Sequence, residues 1–165
     1  MPETDSLELR TAFGKFMTGV TVATAITDDG TPVGFTANSF TSVSLDPPLL
    51  LVCPARSMSC FEVFKQCEYF HISVLAHNQL KTSDTFASKS DDRFENTAWT
   101  PDSNGVPMID GAIASFTCKR YRSIDAGDHI ILLGEVMEFS SDKEQGLGYS
   151  EGEYFILEQE LKKTR

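Results

Sequence analysis

The sequence predicts a mainly β fold with short helices, its antiparallel strands curling toward a small barrel. Three observations carry this. Six or seven segments read as strands and three as helices, with no regular strand–helix alternation of the kind that builds a parallel doubly wound sheet. The strands are short and separated by turn residues, which suits a small antiparallel barrel. The 165 residues suffice for one domain with a real core, spanning 1–165 without repeat or boundary.

Residues 6–18 read as a helix. Ser6, or Asp5 with Glu8, can cap its start, and Leu9, Phe13, Phe16 and Met17 share one face. In residues 19–27 Val20, Val22 and Ile26 alternate with Thr21, Ala23 and Ala25, a strand pattern. Asp28-Asp29-Gly30 signals a hairpin turn, and residues 31–36 return as the partner strand.

Residues 34–53, GFTANSFTSVSLDPPLLLVC, form the most informative stretch. Thr36, Ala37, Asn38, Ser39, Thr41, Ser42 and Ser44 crowd small side chains and hydroxyls into what reads as a loop. Small side chains let backbone N–H groups approach a flat ligand, and hydroxyls and an amide supply hydrogen bonds. A Ser/Thr-rich turn between strands is the plain alternative for such a composition. Pro47 and Pro48 restrict the residues before them and aim the chain into a buried strand at 49–53.

Further on, Ser59-x-x-Glu62 is a capping-box pattern opening a short helix with Phe61 and Phe64 on its inner side. Residues 69–75 alternate as a strand, and residues 77–88 read as a helix ending in a polar loop. Residues 101–111 read as irregular, 113–121 as a strand and 129–139 as a long strand after a Gly127-Asp128 turn. A polar loop at 140–152 precedes a final short strand at 154–157.

Charge excludes some functions. A net charge of −10 with a pI near 4.6 argues against nucleic-acid binding, which needs a basic surface. The basic residues are grouped as Lys89 with Arg93, Lys119 with Arg120 and Arg122, and Lys162 and Lys163 with Arg165. A pair such as Lys89 and Arg93 can hold a phosphate, or stand as ordinary solvated charges. No apolar run reaches membrane-spanning length, and even residues 130–136 are broken by Gly134 and Glu135. The acidic start MPETDSLELR has no signal-peptide apolar stretch, so a cytoplasmic location is expected. Cys53, Cys60, Cys67 and Cys118 form no C-x-x-C pair and read as reduced, mostly buried small hydrophobes, with no metal site expected.

No dinucleotide-binding glycine motif, P-loop, zinc-protease or nucleophile-elbow motif occurs. Of the three histidines, His71 reads as a structural residue within a strand and His77 as exposed at a helix start. His129 follows Gly127-Asp128 at a strand mouth, where a turn residue and a ligand contact are equally open readings.

The run TGVTVATAITDDGTPVGFTANSFTSVSLDPPLLLVC, Ser57 with Ser59, FASKSDDRF and AGDHIILLGEV together resemble the short-chain flavin reductase family. Its members are the reductase components of two-component flavin-dependent monooxygenases. The resemblance covers residues 9–157. It implies an FMN-binding split β-barrel, a homodimer, and hydride transfer from NADH or NADPH to FMN or FAD, with reduced flavin passing to a partner monooxygenase. It places Thr36, Ala37, Asn38 and Ser39 along the isoalloxazine, with Ser42, Val43 and Ser44 bordering the same site. It assigns Ser57 and Ser59 to the ribityl chain or phosphate, Lys89 and Arg93 to the phosphate side, Tyr154 to the flavin and His129 to the nicotinamide. Hydride transfer asks mainly for positioning, which agrees with the lack of a visible catalytic dyad. A non-enzymatic FMN-binding or electron-transfer protein, a direct flavin oxidase and a heme-binding barrel are the other expectations compatible with such a chain.

Overall fold

The structure, a computed structural model, describes residues 6–90 and 92–157. Asp5 and the basic group at 162–165 lie outside the described residues. The chain runs α1 (Ser6–Gly14), β1 (Thr18–Gly19), β2 (Thr21–Ile26), β3 (Pro32–Ala37), β4 (Thr41–Leu45), β5 (Pro48–Val52) and α2 (Phe61–Gln66). It continues β6 (Tyr69–Val74), α3 (Leu80–Ala87), β7 (Trp99–Pro101), β8 (Pro107–Ile109), β9 (Ala114–Ala126), β10 (His129–Ser141), β11 (Gly148–Ser150) and β12 (Glu153–Phe155).

The main sheet is antiparallel and seven-stranded, in the order β3-β2-β6-β9-β10-β5-β4. Its outer strands β3 and β4 do not pair with each other among the described residues, so the barrel stays split. Two small sheets, β1-β11-β12 and β7-β8, complete the fold.

β2 shows why one strand can hold two cores. Ala23 and Ala25 join a cluster with Phe35, Phe64, Phe70 and Leu132, whereas Val22 and the preceding Val20 join Leu75, Phe86 and Leu147. The polar residues between them are buried as well, which the alternation did not predict. They are tolerated because Thr21 Oγ1 donates to Ala37 O at 2.8 Å and Thr24 Oγ1 donates to Pro107 O.

Several expectations are corrected. The Ser/Thr-rich segment is not all loop: β4 pairs Thr41 with Leu51, Ser42 with Leu50 and Ser44 with Leu49. A bulge between Ser42 and Ser44 leaves Val43 unpaired. The capping box at Ser59 does not form, because Met58 N donates to Ala55 O and Phe61 N to Met58 O, so backbone turns serve the start of α2. The segment expected to be irregular at 101–111 holds β8 and the last residue of β7, and the polar loop expected at 140–152 holds the end of β10 and all of β11. The helix expected over 6–18 ends at Gly14, leaving Phe16 and Met17 beyond it, and the expected apolar face is largely exposed: Phe13 is 69% exposed, Phe16 78% and Met17 65%.

β9 and β10, 13 residues each, form a long hairpin whose register shifts between Leu133 and Gly134 and again between Val136 and Glu138. A Cβ at Gly134 would sit 2.4 Å from Phe70 Cζ, so the close approach of β6 requires glycine.

Candidate functional site

The end of β3, the C-terminal end of α3 and the β11–β12 hairpin meet around a cavity of about 210 Å³ lined by Val20, Thr36, Asn38, Ala87, Tyr149 and Tyr154. Its walls are wired through Ser83, which is fully buried. Thr36 Oγ1 donates to Ser83 O at 2.6 Å, and the Tyr154 hydroxyl lies 2.9 Å from Ser83 Oγ and 3.3 Å from Asp84 Oδ1. Burial, together with the nearby Asp84 carboxylate, raises the Tyr154 phenol above its usual value despite the Ser83 bond. Tyr149 stacks edge-on against Tyr154 with ring centroids 5.3 Å apart.

Of the residues singled out in the sequence, Thr36, Asn38 and Tyr154 line this cavity. Ala37 is buried beside it. Ser39 turns toward the protein, its Oγ accepting from Cys53 N at 3.0 Å, and so ties the Thr-Ala-Asn-Ser segment to the end of β5. Ser42 and Val43 are exposed on the edge strand and Ser44 is half-buried there; none lines the cavity. Tyr149 was missed in the sequence. The available signal was its position directly opposite Tyr154 in the β11–β12 pairing, which only the hairpin reveals.

Arg93 does more than carry charge. Nη1 donates to Gly34 O at 2.8 Å and Nη2 donates to Ser88 O, which pins the loop after α3 to β3 beside the cavity. Its Nε is buried without a partner among the described residues. Burial pushes the Cys60 thiol up while the Arg93 charge pulls the other way, which places the guanidinium near the 57–60 turn too. Lys89 is exposed.

Ser57 and Ser59 are exposed on that turn. The same turn meets the β9–β10 tip, where Ala55 bridges His129 and Ile130 N donates to Pro54 O at 3.1 Å. The His129 side chain is 42% exposed, and its Nδ1 lies 2.7 Å from Asp128 Oδ1. That hydrogen bond, with the imidazole's charge when protonated, holds the Asp128 carboxyl below its usual range. His71 is buried within β6, as expected of a structural residue, and His77 is half-buried, not exposed.

A larger open groove of about 970 Å³ lies elsewhere, around the β2–β3 turn and α2, and contains none of the candidate residues. Asp28, Asp29, Glu62 and Glu68 line it, so it disfavours an anionic ligand. Among the described residues no three His, Cys, Asp or Glu side chains gather to hold a metal ion. The four cysteines are free, and burial pushes Cys67 up to about 11 and Cys118 up to about 12.

Residues 13–158 match the flavin reductase like domain. The chain belongs to the flavin reductase-like family. Over 148 residues it is 53% identical to the reductase component of a flavin-dependent trigonelline monooxygenase from Acinetobacter baylyi, covering 90% of this chain and 48% of that protein. It is 43% identical to the FMN reductase (NADH) SmoA of Agrobacterium fabrum, covering 91% of this chain and 85% of that one. The NADH:FAD oxidoreductase SgcE6 of Streptomyces globisporus, solved with NAD and FAD fragments, superposes with a TM-score of 0.91 at 38% identity, covering 96% of each chain. The chain spans about half the length of the Acinetobacter relative. In this flavin reductase-like domain the donor set fits a flavin: an exposed amide, backbone beside small residues, an aromatic wall and a guanidinium held close to it.

Proposed function

We propose that this chain is an NAD(P)H:flavin oxidoreductase that transfers hydride from NADH or NADPH to FMN or FAD and supplies reduced flavin to a partner monooxygenase. The observation that carries the reading is the convergence of Thr36, Asn38 and Tyr154 on one cavity within a chain of this family. Bound flavin supplies the hydride acceptor; the protein's residues bind and orient. Thr36, Ala37, Asn38 and Ser39 lie along the ring's polar edge, and Tyr154 closes its side. Ser42, Val43 and Ser44, on the edge strand outside the cavity, border only the part of the flavin that extends beyond it. Ser57 and Ser59 meet the ribityl chain or phosphate, and Lys89 and Arg93 supply positive charge on the phosphate side. His129 orients the nicotinamide by hydrogen bonding and moves no proton in the hydride step.

The same reading makes the active species a homodimer of single-domain chains in the cytoplasm. The cavity of about 210 Å³ is smaller than the ~300 Å³ at which ligand sites begin, which leaves part of the enclosure to a second copy. The uncovered Leu9, Phe13, Phe16 and Met17 of the α1 segment and Phe139 of β10 supply apolar surface for that contact. No helix among the described residues is long and apolar enough to cross a membrane.

Steady-state oxidation of NADH and NADPH with FMN, FAD and riboflavin in turn tests the activity. Turnover dependent on added flavin is expected; a tightly held flavin that neither exchanges nor accepts hydride would favour a plain binding protein. Sedimentation that gives an 18.2 kDa monomer at micromolar concentration would remove the dimer.

A further inference from the structure

We propose that Arg56 is a positioning residue that sets His129 against the Ser57–Ser59 turn. The inference rests on the reading of His129 as the nicotinamide contact.

The tip of the β9–β10 hairpin has little to hold it. The ladder from β10 to β5 runs only from Leu132 to Glu135, and β6 pairs with β9 only from Ala114 to Lys119. Residues 122–126 of β9 pair with β10 alone. A two-stranded ribbon with a left-handed glycine at its turn (Gly127, φ +63°) has no intrinsic rigidity at this end. Yet His129 opens β10 at this tip.

Residues 54–56 are the brace, and Arg56 makes most of it. Arg56 N donates to Asp128 O at 2.8 Å and Nε donates to Gly127 O at 3.1 Å. Nη2 pairs with Asp125 Oδ1. One residue therefore grips three positions of the turn that ends in His129. The guanidinium carbon lies 5.4 Å from the Phe61 ring centroid, and Phe61 is buried in α2. The fork geometry matters: only a planar, multiply donating group can reach the Gly127 carbonyl and the Asp125 carboxylate from one side chain. The next residue along the chain is Ser57. Arg56 thus fixes the distance between the proposed flavin side and the proposed nicotinamide side of the site.

An exposed ion pair alone contributes little, and Arg56 and Asp125 side chains are 39% and 78% exposed. The positioning is therefore assigned to the Nε bond and the turn's backbone, with the carboxylate secondary. A purely structural brace would lower stability and flavin affinity together. A positioning residue acts on the nicotinamide alone.

The test compares Arg56→Ala, Arg56→Lys, His129→Ala and the Arg56→Ala/His129→Ala double variant, using purified full chain. Arg56→Ala is expected to raise KM for NAD(P)H by roughly five- to twentyfold, with flavin Kd within twofold, since interactions of this kind are worth about a factor of ten. The double variant is expected to be no worse than His129→Ala, because both act through one contact. Independently of activity, amide hydrogen exchange at Ile130 and across residues 125–130 is expected to speed up in Arg56→Ala, and Arg56→Lys is expected to restore part of the protection. If Arg56→Ala does not fold, Arg56→Lys, which keeps the charge and loses the fork, carries the same KM and exchange measurements. A variant with wild-type KM, or with wild-type exchange at the tip, overturns the inference, as does full additivity in the double variant. If His129→Ala itself leaves KM unchanged, the nicotinamide reading fails and this inference with it; if His129→Ala raises KM and Arg56→Ala does not, this inference alone is lost.

Discussion

The Tyr154 hydroxyl sits 2.9 Å from Ser83 Oγ, joining β12 to α3 across 71 residues of sequence. Ser83 also accepts from Thr36 through its carbonyl, so three elements of the cavity wall share one residue. Ser83 has no solvent to turn to, which makes the loss of its partner costly.

Tyr154→Phe therefore removes a buried hydrogen bond while keeping the ring. The expected cost is about 1 kcal/mol, or a Tm lower by about 2–4 °C for a domain of this size. The ring still covers the cavity, so flavin Kd is expected to change less than in Tyr154→Ala. Calorimetry and flavin titration check both; equal flavin losses in the two variants would put the hydroxyl, not the ring, in contact with the ligand.

Asn38 stands at the cavity rim and is exposed. Asn38→Ala is expected to weaken flavin by about 1 kcal/mol per lost hydrogen bond, or roughly fivefold in Kd, with Tm unchanged. Fluorescence titration reads this directly. An unchanged Kd removes Asn38 from the ligand site.

Lys89 and Arg93 should separate in behaviour. Lys89 is exposed, so Lys89→Gln is expected to weaken FMN a few-fold, to spare riboflavin, and to lose its effect in high salt. Arg93→Ala also frees the Gly34 and Ser88 carbonyls, so it is expected to weaken both flavins and lower Tm. Loss of riboflavin in Lys89→Gln would mean packing, not charge.

The contrast between these two residues shows what the sequence could reveal. Spacing and charge marked both, but only the fold shows that Arg93 is committed to two backbone carbonyls. The strands were legible wherever β-branched and apolar residues dominate, as in β2, β6 and β10. β4 was hidden because Thr41, Ser42 and Ser44 read as a loop, while their pairing is imposed by the apolar β5 beside them. The Ser59 cap was a local pattern overridden by backbone turns. Arg56 acts through contacts 69 and 71 residues away, and Tyr149 through a hairpin inside a segment that reads as a polar loop; no periodicity encodes either.

Gly134 tests the close packing of β6 against the long hairpin. A methyl group there meets Phe70 Cζ at 2.4 Å and Cys118 Cβ at 2.9 Å, and both side chains are fully buried. Gly134→Ala is expected to destabilise by about 1–3 kcal/mol through overpacking. Gly134→Ala/Phe70→Leu is expected to be less destabilised than the two single changes summed. Denaturant midpoints of the four proteins check the coupling, and simple additivity would show that Phe70 is not the obstacle.

His71 gives the fold a pH dependence whose sign follows from its surroundings. Its Nδ1 lies 3.3 Å from Asp102 Oδ2, both side chains are 1% exposed, and Asp102 Oδ1 is occupied by the N–H groups of Asn104 and Val106. Thr117 Oγ1, also 3.3 Å away, completes the contacts of Nδ1, while Nε2 is buried with no partner among the described residues. A proton on Nε2 would be an unsatisfied buried charge, so burial lowers the His71 pKa below its ordinary 6.5, with Asp102 pulling only partly back. The unfolded chain then takes up this proton at a higher pH than the folded one. Stability from this group is complete above pH ~6.5 and is lost as pH falls from there toward the folded value, at no more than about 1.4 kcal/mol per pH unit. The measurement is a difference, so that contributions from other groups cancel: urea midpoints of the parent and of His71→Gln from pH 8 to pH 5. The parent is expected to lose stability on acidification faster than the variant, and the His71 ring resonances are expected to titrate below pH 6.5 in the folded protein. A parallel pH dependence in the two proteins, or a ring that titrates above 6.5, would mean that Asp102 outweighs burial and that the pair stabilises the fold in its charged form.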